Sequence, residues 1–96
     1  MKASLTSGSR LTPPGAVRYR QLGDETIVLH LETSQLYSLD AVAARMWMAI
    51  LESSSLGAAR DALLERYEVS RERLEADLLT FAGELLELGL LEVESG

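Results

Sequence analysis

The sequence predicts an α+β domain in which a three-stranded antiparallel sheet is followed by three helices. Three observations carry that expectation. Between residues 16 and 39 apolar and polar residues alternate with period two, interrupted by short turn signals. From Asp40 onward apolar residues recur at i, i+3 and i+4. At 96 residues with 47% hydrophobic composition, the chain has material for one compact core and not for a multidomain enzyme.

Residues 1–15 are rich in Ser, Thr, Gly and Pro and end in Thr12-Pro13-Pro14-Gly15. With no periodicity, they are expected to form a flexible tail ahead of a domain at 16–94. In the first strand Val17, Tyr19 and Gln21 alternate with Arg18, Arg20 and Leu22, and Gly23-Asp24-Glu25 supplies a turn. In the second strand Ile27, Leu29 and Leu31 alternate with Val28, His30 and Glu32, and the Ile27, Leu29, Leu31 face is expected to be buried. Thr33-Ser34 turns the chain into a third strand of about five residues, Gln35-Leu36-Tyr37-Ser38-Leu39.

Asp40 is suited to cap the first helix, because its carboxylate can accept from free amides of the first turn. Val42, Ala43, Met46, Trp47, Ile50 and Leu51 form that helix's apolar face, with Met46 and Trp47 read as core. The helix ends at Ser53-Ser54-Ser55. A second helix follows from Leu56 to Tyr67, with Leu56, Ala59, Leu63 and Tyr67 on one side. Ser70 caps a third helix from Arg71 to Leu88, whose Leu74, Leu78, Phe81, Leu85 and Leu88 share one face. Gly89 fits the left-handed position that closes a helix. Leu90 to Glu94 then form a short extended piece.

Several function classes are excluded. With no cysteine there is no disulfide frame and no thiolate metal site. There is one histidine and no glycine-rich phosphate loop. His30 is expected at the surface or at a pocket edge, with no partner nearby that suggests a catalytic triad. Glu72, Glu75 and Asp77 lie on three sides of their helix and form no metal cage. No catalytic residue, metal ligand or cofactor site is therefore expected. Residues 1–50 carry a net charge of +1 and residues 51–96 carry −7, which argues against a nucleic-acid backbone as partner. No secretory signal or membrane-length apolar run is present, and a cytoplasmic protein with no membrane partner is expected.

Binding remains. The third strand lies at an edge of the meander, so Gln35, Leu36, Tyr37 and Ser38 offer backbone groups to an added strand. The alternative is an edge covered by the protein's own tail. The third helix also has a second apolar stripe, Leu79, Ala82 and Leu86, in line with Glu75. That stripe either lines a groove or is enclosed by the other helices.

The run from Leu29 to Leu91 resembles the PqqD family, the RiPP recognition element domain that captures precursor peptides. The matching residues are Leu29 through Asp40, Ala43 to Trp47 with Leu51, Leu63 and Tyr67. After them come Asp77-Leu78 with Phe81, Leu85 and Gly89-Leu90-Leu91. Asp40 stands where the family usually has Asn, Met46 where it has Ile, Ala82 where it has Leu, and Ser where a Gly often follows the first helix.

The resemblance implies a winged-helix-like fold and capture of a precursor's leader peptide as an added strand, between the third strand and the third helix. A free-standing chain of this size is similar to the small B1 proteins of lasso-peptide clusters. Those proteins work with a separate B2-type leader peptidase and a cyclase, and their leaders tend to carry a Tyr and a Pro. PqqD proper, a peptide chaperone of quinone-cofactor synthesis, is the near alternative. On this reading Leu78, Leu79 and Ala82 give apolar contact, and Glu75 or Asp77 anchors a basic leader residue. Asp77 and Leu79 lie on opposite flanks of the helix, so only one of them is central. A winged-helix DNA-binding regulator is disfavoured by the acidic third helix. A homodimer through the free edge or the acidic helices is the third reading.

Overall fold

A computed structural model of the chain describes residues 5, 6 and 8–94. Strands β1 (Leu11–Thr12), β2 (Val17–Leu22), β3 (Glu25–His30) and β4 (Gln35–Leu39) precede helices α1 (Ala41–Glu52), α2 (Leu56–Arg66) and α3 (Arg71–Glu87), and β5 (Glu92–Val93) follows α3. The fold is thus α+β, three antiparallel strands in the order β2-β3-β4 followed by three helices. β1 and β5 add a separate two-stranded pair.

Each helix starts on a side-chain cap. Asp40, Ser55 and Ser70 accept from the amides of Ala43, Ala58 and Arg73 respectively, satisfying donors that the first turn leaves free. Gly89 closes α3 at φ 75, and a methyl group there would sit 3.4 Å from His30 Nε2. Only glycine meets both demands without strain.

The core lies between the inner face of the sheet and the helices. Val17, Val28 and Leu39 from the sheet meet Trp47, Ile50, Leu56, Leu63, Leu78, Leu85 and Leu90. Trp47 is fully enclosed and takes the ring of Tyr19 edge-on at 5.6 Å.

Two expectations change here. The buried face of β3 is Thr26, Val28 and His30, not Ile27, Leu29 and Leu31. The more apolar side of the strand therefore faces outward, and the helices pack on the side that carries Val28 between Thr26 and His30. His30 is consequently a buried residue, not a surface one, and its Nδ1 has no hydrogen-bond partner among the described residues.

The composition of residues 1–15 suggests a tail, yet Leu11 is buried and pairs with Val93. Ser9 O accepts from Leu56 N, and Glu94 N donates to Arg10 O. Arg10 and Glu94 add an ion pair at 2.7 Å, exposed and so of little weight. Residues 1–4 and Ser7 of the expected tail lie outside the described residues.

Candidate functional site

The geometry of β4 follows from two turns. Gly23, at φ 63, begins a two-residue connection between Leu22 and Glu25. A glycine-led two-residue hairpin closes on a hydrogen-bonded pair, here Leu22 with Glu25. The alternation along an antiparallel ladder then turns the backbone groups of Ile27 and Leu29 toward β2, and those of Thr26, Val28 and His30 toward β4. The bond from Leu31 N to Ala16 O has the same parity. With the register Thr26↔Leu39, Val28↔Tyr37 and His30↔Gln35, the N–H and C=O groups of Leu36 and Ser38 point away from the sheet. The β3–β4 connection is made possible by Ser34, which takes φ 59, the left-handed region.

β4 is an edge strand, so this row of backbone groups is open to an added strand. The side chains of β4 divide. Leu36 and Ser38 stand on the outer face, Leu36 65% exposed, and Ser38 Oγ donates to Glu25 Oε2 at 3.2 Å. Tyr37 is half-buried against the core on the inner side, and Gln35 is exposed.

A cavity of about 290 Å³ lies where β4 passes into α1. Val42, Arg45 and Met46 of α1 form one wall, and Leu74 and Asp77 of α3 the other. Tyr67 and Val69 close the end, with the Arg45 guanidinium 5.4 Å from the Tyr67 ring centroid. The lining is mostly apolar, with Arg45, Arg73 and Asp77 as its charged groups. α3 thus runs from the Leu39 end of β4, where it lines this cavity, to the Gln35 end, where Gly89 meets His30. A second cavity, about 360 Å³, lies between the β2–β3 turn and α1–α2, lined by Gln21, Thr26, Glu52 and Arg66 among others. No β4 residue lines either cavity, but the first is walled by Val42, in the first turn of α1 directly after β4.

The residues singled out on α3 separate into three groups. Asp77 faces the cavity at the end of β4 and makes no ion pair among the described residues. Leu78 and Ala82 are core residues, 2% and 0% exposed, and offer no surface to a ligand. Glu75 and Leu79 lie on the opposite flank beside α2, where Glu75 meets Arg60 at 3.5 Å. The second apolar stripe of α3 is therefore taken up by α2. On the remaining flank, Leu74 and Asp77 line the cavity beside α1, and Phe81 follows one helical turn on.

Sequence reasoning assigned Leu74 and Phe81 to the core and did not single out Val42, Arg45 or Tyr67 for a site. The available signal was Val42, an apolar residue in the first turn of α1, 64% exposed in the fold.

The model of one protein family, Coenzyme PQQ synthesis protein D (PqqD), matches residues 25–91, from the start of β3 to the residue before β5. The chain belongs to the PqqD family. Among solved structures the chain is similar to TbiB1 in complex with the TbiA(beta) leader peptide. That match has 33% identity and a TM-score of 0.80, and covers 88% of this chain and 98% of TbiB1. A lasso peptide synthetase B1 complexed with its leader peptide shares the fold, with 20% identity, a TM-score of 0.78 and coverage of 86% and 98%. No curated protein matches the chain significantly.

Proposed function

We propose that this PqqD-family domain binds the leader region of a ribosomally made precursor peptide and presents it to processing enzymes. On this reading the leader pairs with β4 as a fourth strand and runs antiparallel or parallel beside α3. The observation that carries the reading is the open row at Leu36 and Ser38, which ends beside an apolar cavity. Main-chain bonds to that row supply affinity without regard to sequence, and the cavity supplies side-chain selection. An aromatic or apolar leader residue fits its lining, in which Arg45, Arg73 and Asp77 are the charged groups.

The role is binding, not catalysis. The 33% identical TbiB1, held in complex with a leader peptide, supports a lasso-peptide pathway for this chain. There its partners would be a separate leader peptidase and a cyclase, in the cytoplasm. The description of the matched family favours one second reading, peptide chaperoning in quinone-cofactor synthesis. Precursor identity separates the two: binding to a quinone-cofactor precursor and to no lasso leader would select the second.

Fluorescence anisotropy with a labelled leader tests the site. Val42→Asn removes apolar surface from the cavity wall at an exposed position. It is expected to weaken binding about five- to tenfold, or roughly 1 to 1.4 kcal/mol, with the circular dichroism unchanged. Unaltered affinity would remove the cavity from the site.

A further inference from the structure

The two cavities meet at one wall. Arg45, Leu63 and Tyr67 line both the cavity of about 290 Å³ beside the end of β4 and the cavity of about 360 Å³ between the β2–β3 turn and α1–α2. The polar part of that wall is the Arg45 guanidinium stacked on the Tyr67 ring, 5.4 Å from its centroid. Leader binding to β4 occupies the first cavity and gives the second no role. The second is apolar inside, with Ala44 and Leu63 buried and Met48 and Ala49 half-buried. Its positive groups are Arg45 and Arg66, the latter from the last turn of α2. Neither makes an ion pair among the described residues, although Asp24 and Glu52 belong to the same lining. Glu52 lies two turns beyond Arg45 on α1, about 10 Å away, while Arg66 directly precedes Tyr67. Both arginines are therefore carried at the end that adjoins the first cavity.

We infer that the larger cavity is a second binding site for the precursor peptide, taking an Asp or Glu side chain from the residues that adjoin the stretch paired with β4. The inference rests on the leader-binding reading and adds an acidic residue to what the domain selects. Two observations choose this occupant. The first is continuity. The smaller cavity lies where β4 passes into α1, so a peptide that fills it stands against the Arg45–Tyr67 stack. An extended chain advances about 3.3 Å per residue, and about two or three further residues carry it across that wall. The second is charge. The chain is at −6 overall, yet two guanidiniums without a carboxylate partner line this cavity. A carboxylate accepts from guanidinium N–H groups in charge-assisted bonds, and Met48 and Ala49 offer apolar contact to the methylenes beside it. The volume also falls within the roughly 300–1,000 Å³ of sites that enclose small ligands.

The test uses the full chain with methyl-labelled methionine, its whole leader peptide, and a leader cut back to the residues that pair with β4 and fill the smaller cavity. Met46 lines the smaller cavity and Met48 the larger, so one NMR spectrum reads both. The whole leader is expected to shift both methyl signals, and the shortened leader only that of Met46. Arg66→Gln, at an exposed position, is expected to weaken the whole leader about fivefold and the shortened one by less than about twofold. Ala62→Glu, on the exposed wall of the larger cavity, adds a like charge and should weaken the whole leader at least about tenfold. Changing the leader's acidic residue to its amide should cost wild type what Arg66→Gln costs, and should leave that variant nothing further to lose. A Met48 signal unmoved by the whole leader, or moved equally by the shortened one, would overturn the inference and leave leader binding intact. Equal affinity changes for the two peptides in Arg66→Gln would do the same. Failure of the wild-type domain to bind the leader would strike the underlying reading, and the second site with it.

Discussion

Replacing Ser38 by Pro is expected to weaken leader binding at least about tenfold while the domain stays folded. The ladder parity turns the Ser38 N–H toward the open edge, so proline removes no bond from the sheet itself. Tyr37, the preceding residue, is already in the extended conformation that proline demands. The structural losses are the Ser38 hydroxyl's contact with Glu25, an exposed bond, and nothing from the core. In the complex the change is larger. A carbonyl of the leader loses its donor at a site that peptide and protein shield from water, and an unsatisfied group of that kind costs about 1–3 kcal/mol. The proline ring also occupies the space of the incoming strand. Anisotropy measures the loss and circular dichroism verifies the fold. Wild-type affinity in a folded Ser38→Pro variant would place the leader elsewhere.

The largest effect on stability is expected from Trp47→Ala, about 3–5 kcal/mol. Trp47 is completely buried between sheet and helices, and its removal leaves a void that Tyr19, half-exposed at the sheet's rim, cannot fill. For a domain of this size the midpoint of thermal unfolding should fall by on the order of 15–30 °C. Trp47→Phe should cost far less. Phenylalanine keeps most of the ring contact and removes the indole N–H, which finds no acceptor among the described residues and so is an unfavourable buried donor. Equal losses in the two variants would mean that the indole N–H is satisfied and that shape alone decides.

Much of the fold was legible because its signals are local. The five residues of β4 are bounded by a turn and a cap, and Asp40 and Ser70 mark helix starts through chemistry that needs no tertiary context. What was not legible depends on contacts distant in sequence. In β3 the apolar Ile27 and Leu29 point outward and Val28 points inward between Thr26 and His30, so alternation gives the period and, read by hydropathy, the wrong buried face. The pairing of Leu11 with Val93 joins the two ends of the domain, and two-residue strands leave no periodic trace. The same applies to the site. The edge at Leu36 and Ser38 follows from strand order, which the sequence shows. The working flank of α3 follows from where α2 packs, which it does not. Glu75 and Leu79 share a stripe on the helical wheel, and only the position of Arg60 reveals that α2 takes it.

The claim that the leader joins β4 as a strand has a residue-by-residue signature in amide hydrogen exchange observed by NMR. In the free domain the Tyr37 and Leu39 amides should exchange slowly, being paired with β3, while those of Leu36 and Ser38 exchange quickly. A saturating leader peptide should slow Leu36 and Ser38 by at least about tenfold, with little change at Tyr37 and Leu39. Unchanged exchange at Leu36 and Ser38 under saturation would contradict strand addition at this edge.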